Sequence, residues 1–135
     1  MVILDTSIII DHLRSNKVNK TSTLLSFVAS NPSESLALSV ISVQELYEGK
    51  STTFPKRETE LLTIIAPMKI LPYDYQTAKL AGQIACDIPS PLELADCAIA
   101  ASAILNNCGL LTLNTKDFSK IKLVKLIELL SFIKR

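Results

Sequence analysis

Three acidic residues far apart in the chain, Asp5, Glu45 and Asp96, are the ones whose chemistry asks for an explanation. Asp96 makes the sharpest demand. It lies in SPLELADCAIAASAIL, residues 90 to 105, and at about 100° per residue it shares a helix face with Leu92, Ile99, Ala100 and Ala103. That is the apolar side of the helix. A carboxylate buried there without a partner is either strongly destabilising or has its pKa driven upward. Arginine is the usual partner for such a group, yet the chain has only Arg14, Arg57 and Arg135. A divalent cation shared among several carboxylates compensates the charge better.

Asp5 and Glu45 each have a structural alternative. Asp5 interrupts the aliphatic run VILDTSIII, residues 2 to 10, where it could cap the helix that follows or stand as a functional group at the mouth of an open sheet. Glu45 follows Ser42 by three residues in SVQE and could close a capping box. The carboxyl ends of neighbouring strands in a doubly wound sheet converge on one crevice. That geometry favours a single metal-binding acidic pocket over three unrelated caps. The segment TLNTKDF, residues 112 to 118, would reach the same rim. There Thr112, Asn114 and Asp117 offer a fourth ligand or a substrate contact, although Asn114 to Asp117 also reads as an ordinary turn.

The elements needed to position these groups alternate along the chain. Val2 to Leu4, SLALSV at 35 to 40, KILPY at 69 to 73 and LLTL at 110 to 113 read as buried strands, with a short fifth strand near 121 to 125. Helices are expected over the residues after Asp5, over 22 to 30, 42 to 50, 55 to 65 and 74 to 86, and at the carboxyl end with Leu126, Leu129, Leu130 and Ile133. Ser90, Pro91, Leu92 and Glu93 read as a capping box that opens the helix carrying Asp96, with Gly109 beyond its last turn. Strands separated by helices imply a mainly parallel sheet of four to five strands between two helical layers, a three-layer α/β/α fold. Three glycines leave no Gly-rich phosphate loop.

Bulk properties agree with one folded domain over residues 1–135. The chain is 48% hydrophobic and carries a net charge of +1, which excludes a strongly basic nucleic-acid coat. No apolar run is long enough to span a bilayer and no signal peptide precedes the first strand, so a cytoplasmic protein is expected. Cys86, Cys97 and Cys108 match no zinc or redox spacing and read as small buried hydrophobes. From Lys116 onward six cationic residues face only Asp117 and Glu128. Such a segment beside an acidic body either steers a nucleic acid or is a solvated face. His12, the single histidine, reads as a helix surface residue, which disfavours a metal-free, histidine-based ribonuclease.

ILDTSIIID, SVQEL and LADCAIAASAILNNCGLLTLNTKDF, in this order, resemble the PIN-domain nucleases, and among them the VapC toxins of prokaryotic toxin–antitoxin modules. The resemblance runs from Val2 to about Leu126. It implies a Mg²⁺- or Mn²⁺-dependent endoribonuclease acting on RNA, frequently tRNA, that forms a homodimer and is held by an antitoxin protein. The acidic quartet of that family falls here on Asp5, Glu45 and Asp96, with the fourth member in 112 to 117. Many relatives carry an acid where this chain has Asn114, and Asp117 is the nearest remaining carboxylate. Thr6, Ser7 and Thr112 match supporting hydroxyl positions.

The chemistry fits the residues independently. Phosphodiester hydrolysis needs charge neutralised at the phosphate and a hydroxide made near neutral pH, and divalent ions on carboxylate oxygens supply both. A haloacid-dehalogenase-like phosphatase would need a second Asp two residues after the first, where this chain has Ser7. The other alternative is a catalytically weak PIN-like module that binds RNA or a partner protein, a reading to which Asn114 lends support.

Overall fold

Val2, Ile3 and Leu4 form β1 (Val2–Leu4), the central strand of a five-stranded, all-parallel sheet in the computed structural model, which describes residues 1–133. The other strands are β2 (Leu36–Ser39), β3 (Lys69–Leu71), β4 (Gly109–Leu111) and β5 (Lys125–Leu126), in the spatial order β3-β2-β1-β4-β5. The chain builds outward from β1 to β3 on one side, then returns to β1 and builds β4 and β5 on the other. The order therefore reverses at β1, which makes its carboxyl end the topological switch point.

Side-chain alternation along the strands divides the core in two. Val2, Leu4, Leu38 and Leu111 face α1 (Thr6–Lys17), α2 (Thr23–Ser30), α3 (Val40–Glu48) and α4 (Pro55–Ile65), where Ile8, Ile9, Phe27 and Leu61 fill the layer. Phe27 closes it by meeting Phe132 edge-on at 5.3 Å. Ile3, Ala37, Leu71 and Leu110 face the opposite way, onto α5 (Tyr75–Asp87), α6 (Leu94–Leu105) and Phe118 of the one-turn α7 (Thr115–Phe118). Three layers result, as the alternation of strands and helices implies. Among the described residues no helix is long and apolar enough to cross a membrane.

Several local expectations fail, each for a physical reason. The SVQE capping box does not form. Ser39, extended at the end of β2, caps α3 by accepting from the Ile41 amide at 3.1 Å, so Ser42 lies buried inside the helix. Ser90 to Glu93 form no capping box either. α6 starts at Leu94, behind an extended Glu93 whose side chain makes no cap bond, because those residues connect α5 back to the sheet's rim. Gly109 is not the stop of α6. Asn107, at φ 50°, takes the left-handed conformation and Gly109 opens β4.

The expected terminal helix is replaced by β5 and a single 3-10 turn, Leu129–Ser131. The sheet takes Leu126 into register with Leu110, which breaks the helical stripe. His12 is not a free surface group, since its Nδ1 lies 2.7 Å from the Ser22 hydroxyl that caps α2. Cys97 and Cys108 are buried but Cys86 is exposed.

Candidate active site

Register does the first part of the assembly. Leu4 aligns with Leu38 on one side and Leu111 on the other, so Asp5, Ser39 and Thr112 leave the sheet side by side. The Asp5 amide donates to the Leu111 carbonyl at 2.9 Å, extending the ladder one residue and holding that side chain at the rim.

Asp5 occupies the N-cap position of α1 yet makes no side-chain cap bond. Its Oδ2 instead accepts from the Ser7 and Thr112 hydroxyls, both at 2.7 Å. Asp5 is 5% exposed and Thr112 only 1%, so this is a fixed carboxylate on a buried support. Ser7 in turn accepts from the Leu113 amide at 3.2 Å, and Thr112 accepts from the Asn114 amide at 2.9 Å. The Thr6 hydroxyl has one proton to give. It gives that proton to Glu45 Oε1 at 2.6 Å and lies 2.8 Å from the Ser42 hydroxyl, from which it can accept. Capping therefore explains neither Asp5 nor Glu45.

A cleft of about 510 Å³ opens above this support. Asp5, Glu45, Asp96 and Asp117 line it together with Thr6, Ser7 and Asn114. Asp96 sits in the first turn of α6, half-buried, with no hydrogen-bond or ion-pair partner among the described residues. Its carboxyl is pushed up to about 6, first by burial and then by the charges of Asp5, Glu93, Glu45 and Asp117. Burial also raises Glu45, against the pull of the Thr6 bond, and Asp5, Glu48 and Glu93 push it the same way. Asp117 is the exception. Its Oδ2 accepts from the Asn114 amide at 3.1 Å, and Lys120 Nζ lies 3.5 Å from Oδ1. The Asn114 bond first, and Lys120 after it, hold Asp117 below the usual carboxylate range.

The donor set suits a hard divalent cation, because six carboxylates and no basic side chain are among the described residues lining the cleft. The carboxylates do not close on one point, however. No three His, Cys, Asp or Glu side chains among the described residues are grouped tightly enough to enclose an ion. Side-chain hydrogen bonds hold Glu45 to Thr6 and Asp117 to Asn114, while Asp96 makes none among the described residues. An open set of this kind matches Mg²⁺, which keeps several waters and takes one or two carboxylates, better than an all-protein cage.

Sequence reasoning missed Ser42, Glu48 and Glu93 as members of the site. Ser42 was legible as the residue one turn before Glu45 on the same helix face. Glu48 lies one turn after it on that face, whereas Glu93 was masked by its reading as a cap.

The PIN domain family model matches residues 2–123, and the chain belongs to that family. No curated protein matches the chain significantly. Among solved structures, DNA-bound VapBC from Salmonella typhimurium superposes with a TM-score of 0.82 at 23% identity, covering 95% of this chain and 97% of that one. VapBC2 from Rickettsia felis, bound to a DNA fragment from its promoter, gives 0.75 at 21% identity, with 94% and 98% covered. FitAcB from Neisseria gonorrhoeae gives 0.69 at 26% identity, with 96% and 99% covered. These likenesses establish the three-layer fold over nearly the whole chain.

Proposed function

We propose that the chain is a Mg²⁺- or Mn²⁺-dependent endoribonuclease and the toxin of a toxin–antitoxin pair. The observation that carries this reading is the carboxylate-rich cleft at the switch point of a PIN fold, in which, among the described residues, no cation lines the wall and Asp96 has no partner. Asp5 and Asp96 would hold the metal directly. Glu45, tied to Thr6, would act through water or orient the attacking water. Asp117 and Asn114 would support the site from its rim, and Thr112, Ser7 and Thr6 fix the acids below them. When bound, the ion supplies charge neutralisation at the scissile phosphate and a hydroxide near neutral pH. The residues themselves position the acids and orient water.

Structures similar to this chain are toxin–antitoxin complexes, among them one from Klebsiella pneumoniae at 22% identity. That supports an antitoxin partner for this chain, which we further propose to be a homodimeric toxin acting on RNA in the cytoplasm. Co-expression with a cognate antitoxin should relieve growth arrest, and unimpaired growth with the chain alone would count against the toxin role.

The direct test is RNA cleavage with Mg²⁺ or Mn²⁺ by the wild type and by Asp96→Asn. Cleavage is expected only in the wild type and only with metal. Equal cleavage by the variant, or in chelator, would overturn the reading. A weak, binding-only module is favoured by one feature, the neutral Asn114 with Asp117 turned toward Lys120. RNA binding without metal-dependent cleavage would select it.

A further inference from the structure

The cationic segment after Lys116 has its own place in the fold. Lys120 sits at the end of α7, next to Asp117 on the rim of the acidic cleft. Lys120 and Lys122 also line a second groove of about 820 Å³, floored by Leu80, Ile84, Ile88 and Ile104 between α5, α6 and the turn that leads to β5. Both lysines are exposed, and Lys122 makes no ion pair among the described residues. Asp87 is the one acid among the described residues lining that groove. One strip therefore joins a cleft with no lining cation among the described residues to a groove edged by two, and the Lys120–Asp117 pair connects them.

We propose that the substrate RNA leaves the acidic cleft over α7 and lies along this second groove, with Lys120 and Lys122 taking its phosphates on one side of the cut. The inference rests on the ribonuclease reading above. Carboxylates gathered at the cut repel a polyanion, so affinity must come from cations beside the site, and these two are contiguous with it. The apolar floor can cover a base face while the lysines hold the backbone. Lys125 is a control of equal charge. It donates to Asn107 Oδ1 at 2.9 Å and pairs in register with Gly109, at the amino end of the strands away from the cleft.

The test is binding of a labelled single-stranded RNA to full-length Asp96→Asn protein across a salt series, with Lys120→Ala, Lys122→Ala or Lys125→Ala added. Each phosphate contact on single-stranded nucleic acid releases about 0.7 counterion, which is about fivefold in affinity at 0.1 M salt. Lys122→Ala and Lys120→Ala should each weaken binding about fivefold and flatten the log–log salt slope by about 0.7, while Lys125→Ala binds unchanged. Lys122→Ala carries the decision, because Lys120→Ala also frees Asp117. In the cleaving background Lys122→Ala should raise KM with kcat unchanged.

Unchanged binding in Lys122→Ala, or an equal loss in Lys125→Ala, would overturn the path. So would a changed oligomeric state with RNA binding intact, which would give the groove to a second copy of the chain. If the wild type cleaves RNA in any of these cases, only the path fails. If it neither binds nor cleaves, the ribonuclease reading fails with it.

Discussion

Asp96 is a carboxyl without a partner among the described residues, in a field of like charge, and its titration follows from that. Its folded value of about 6 exceeds the ordinary 3.8, so the folded metal-free chain holds this proton more tightly than the unfolded one. The stabilisation is complete below the ordinary value and is lost as pH rises through about 6. Asp96→Asn should abolish cleavage and leave the metal-free protein more stable at pH 7 by about 1–2 kcal/mol, allowing for the solvent at this half-buried group. Denaturant melts of both proteins at acid and neutral pH check this, since the advantage of the variant should vanish in acid. Metal affinity should rise with pH through the same window, because the ion and the proton compete for Asp96. Thr112 makes the opposite case. Thr112→Val removes a buried donor to Asp5 and the acceptor of the Asn114 amide. It should cost about 1–3 kcal/mol and lower activity, measured by melting and by cleavage at fixed metal.

Among the elements, β4 and β5 meet where Gly109 leaves no room for a side chain. A Cβ there would lie 2.6 Å from Ile127 Cδ1, the movable end of its side chain. Gly109→Ala should therefore cost about 1 kcal/mol, and most of that should return in the Gly109→Ala/Ile127→Val double variant, which removes the Cδ1. A double-mutant cycle in urea reads the coupling, and additive losses would show the contact to be relieved some other way. The boundaries of elements were the least legible feature of the chain. Pro55 to Ile65 is helical as its pattern predicts, because a proline start and an amphipathic stripe are local signals. The helix of Asp96 begins later than its capping pattern predicts, because the chain needs Ser90 to Glu93 to cross from α5 to the rim. The short fifth strand expected near 121 to 125 likewise forms later, at Lys125–Leu126, where pairing with β4 sets its bounds.

The molecule as a whole has a charge-loaded rim whose stability should respond to cations. A metal that binds only the folded chain stabilises it by about 2.7 kcal/mol at about a hundred times its Kd. Mg²⁺ or Mn²⁺ should raise the melting temperature of the wild type, while Asp96→Asn should lose most of that rise. An equal rise in both would place the ion elsewhere. By itself the sequence determined the layer order, the parallel sheet and the identity of Asp5, Glu45 and Asp96 as the acids needing explanation, because hydrophobic run lengths and an acid on an apolar helix face are local properties. Tertiary structure alone decided that Thr6 joins Ser42 to Glu45 and that Thr112 holds Asp5. The reason is register: those contacts join residues on different strands and helices, and no spacing along the chain encodes which carboxyl ends will stand side by side.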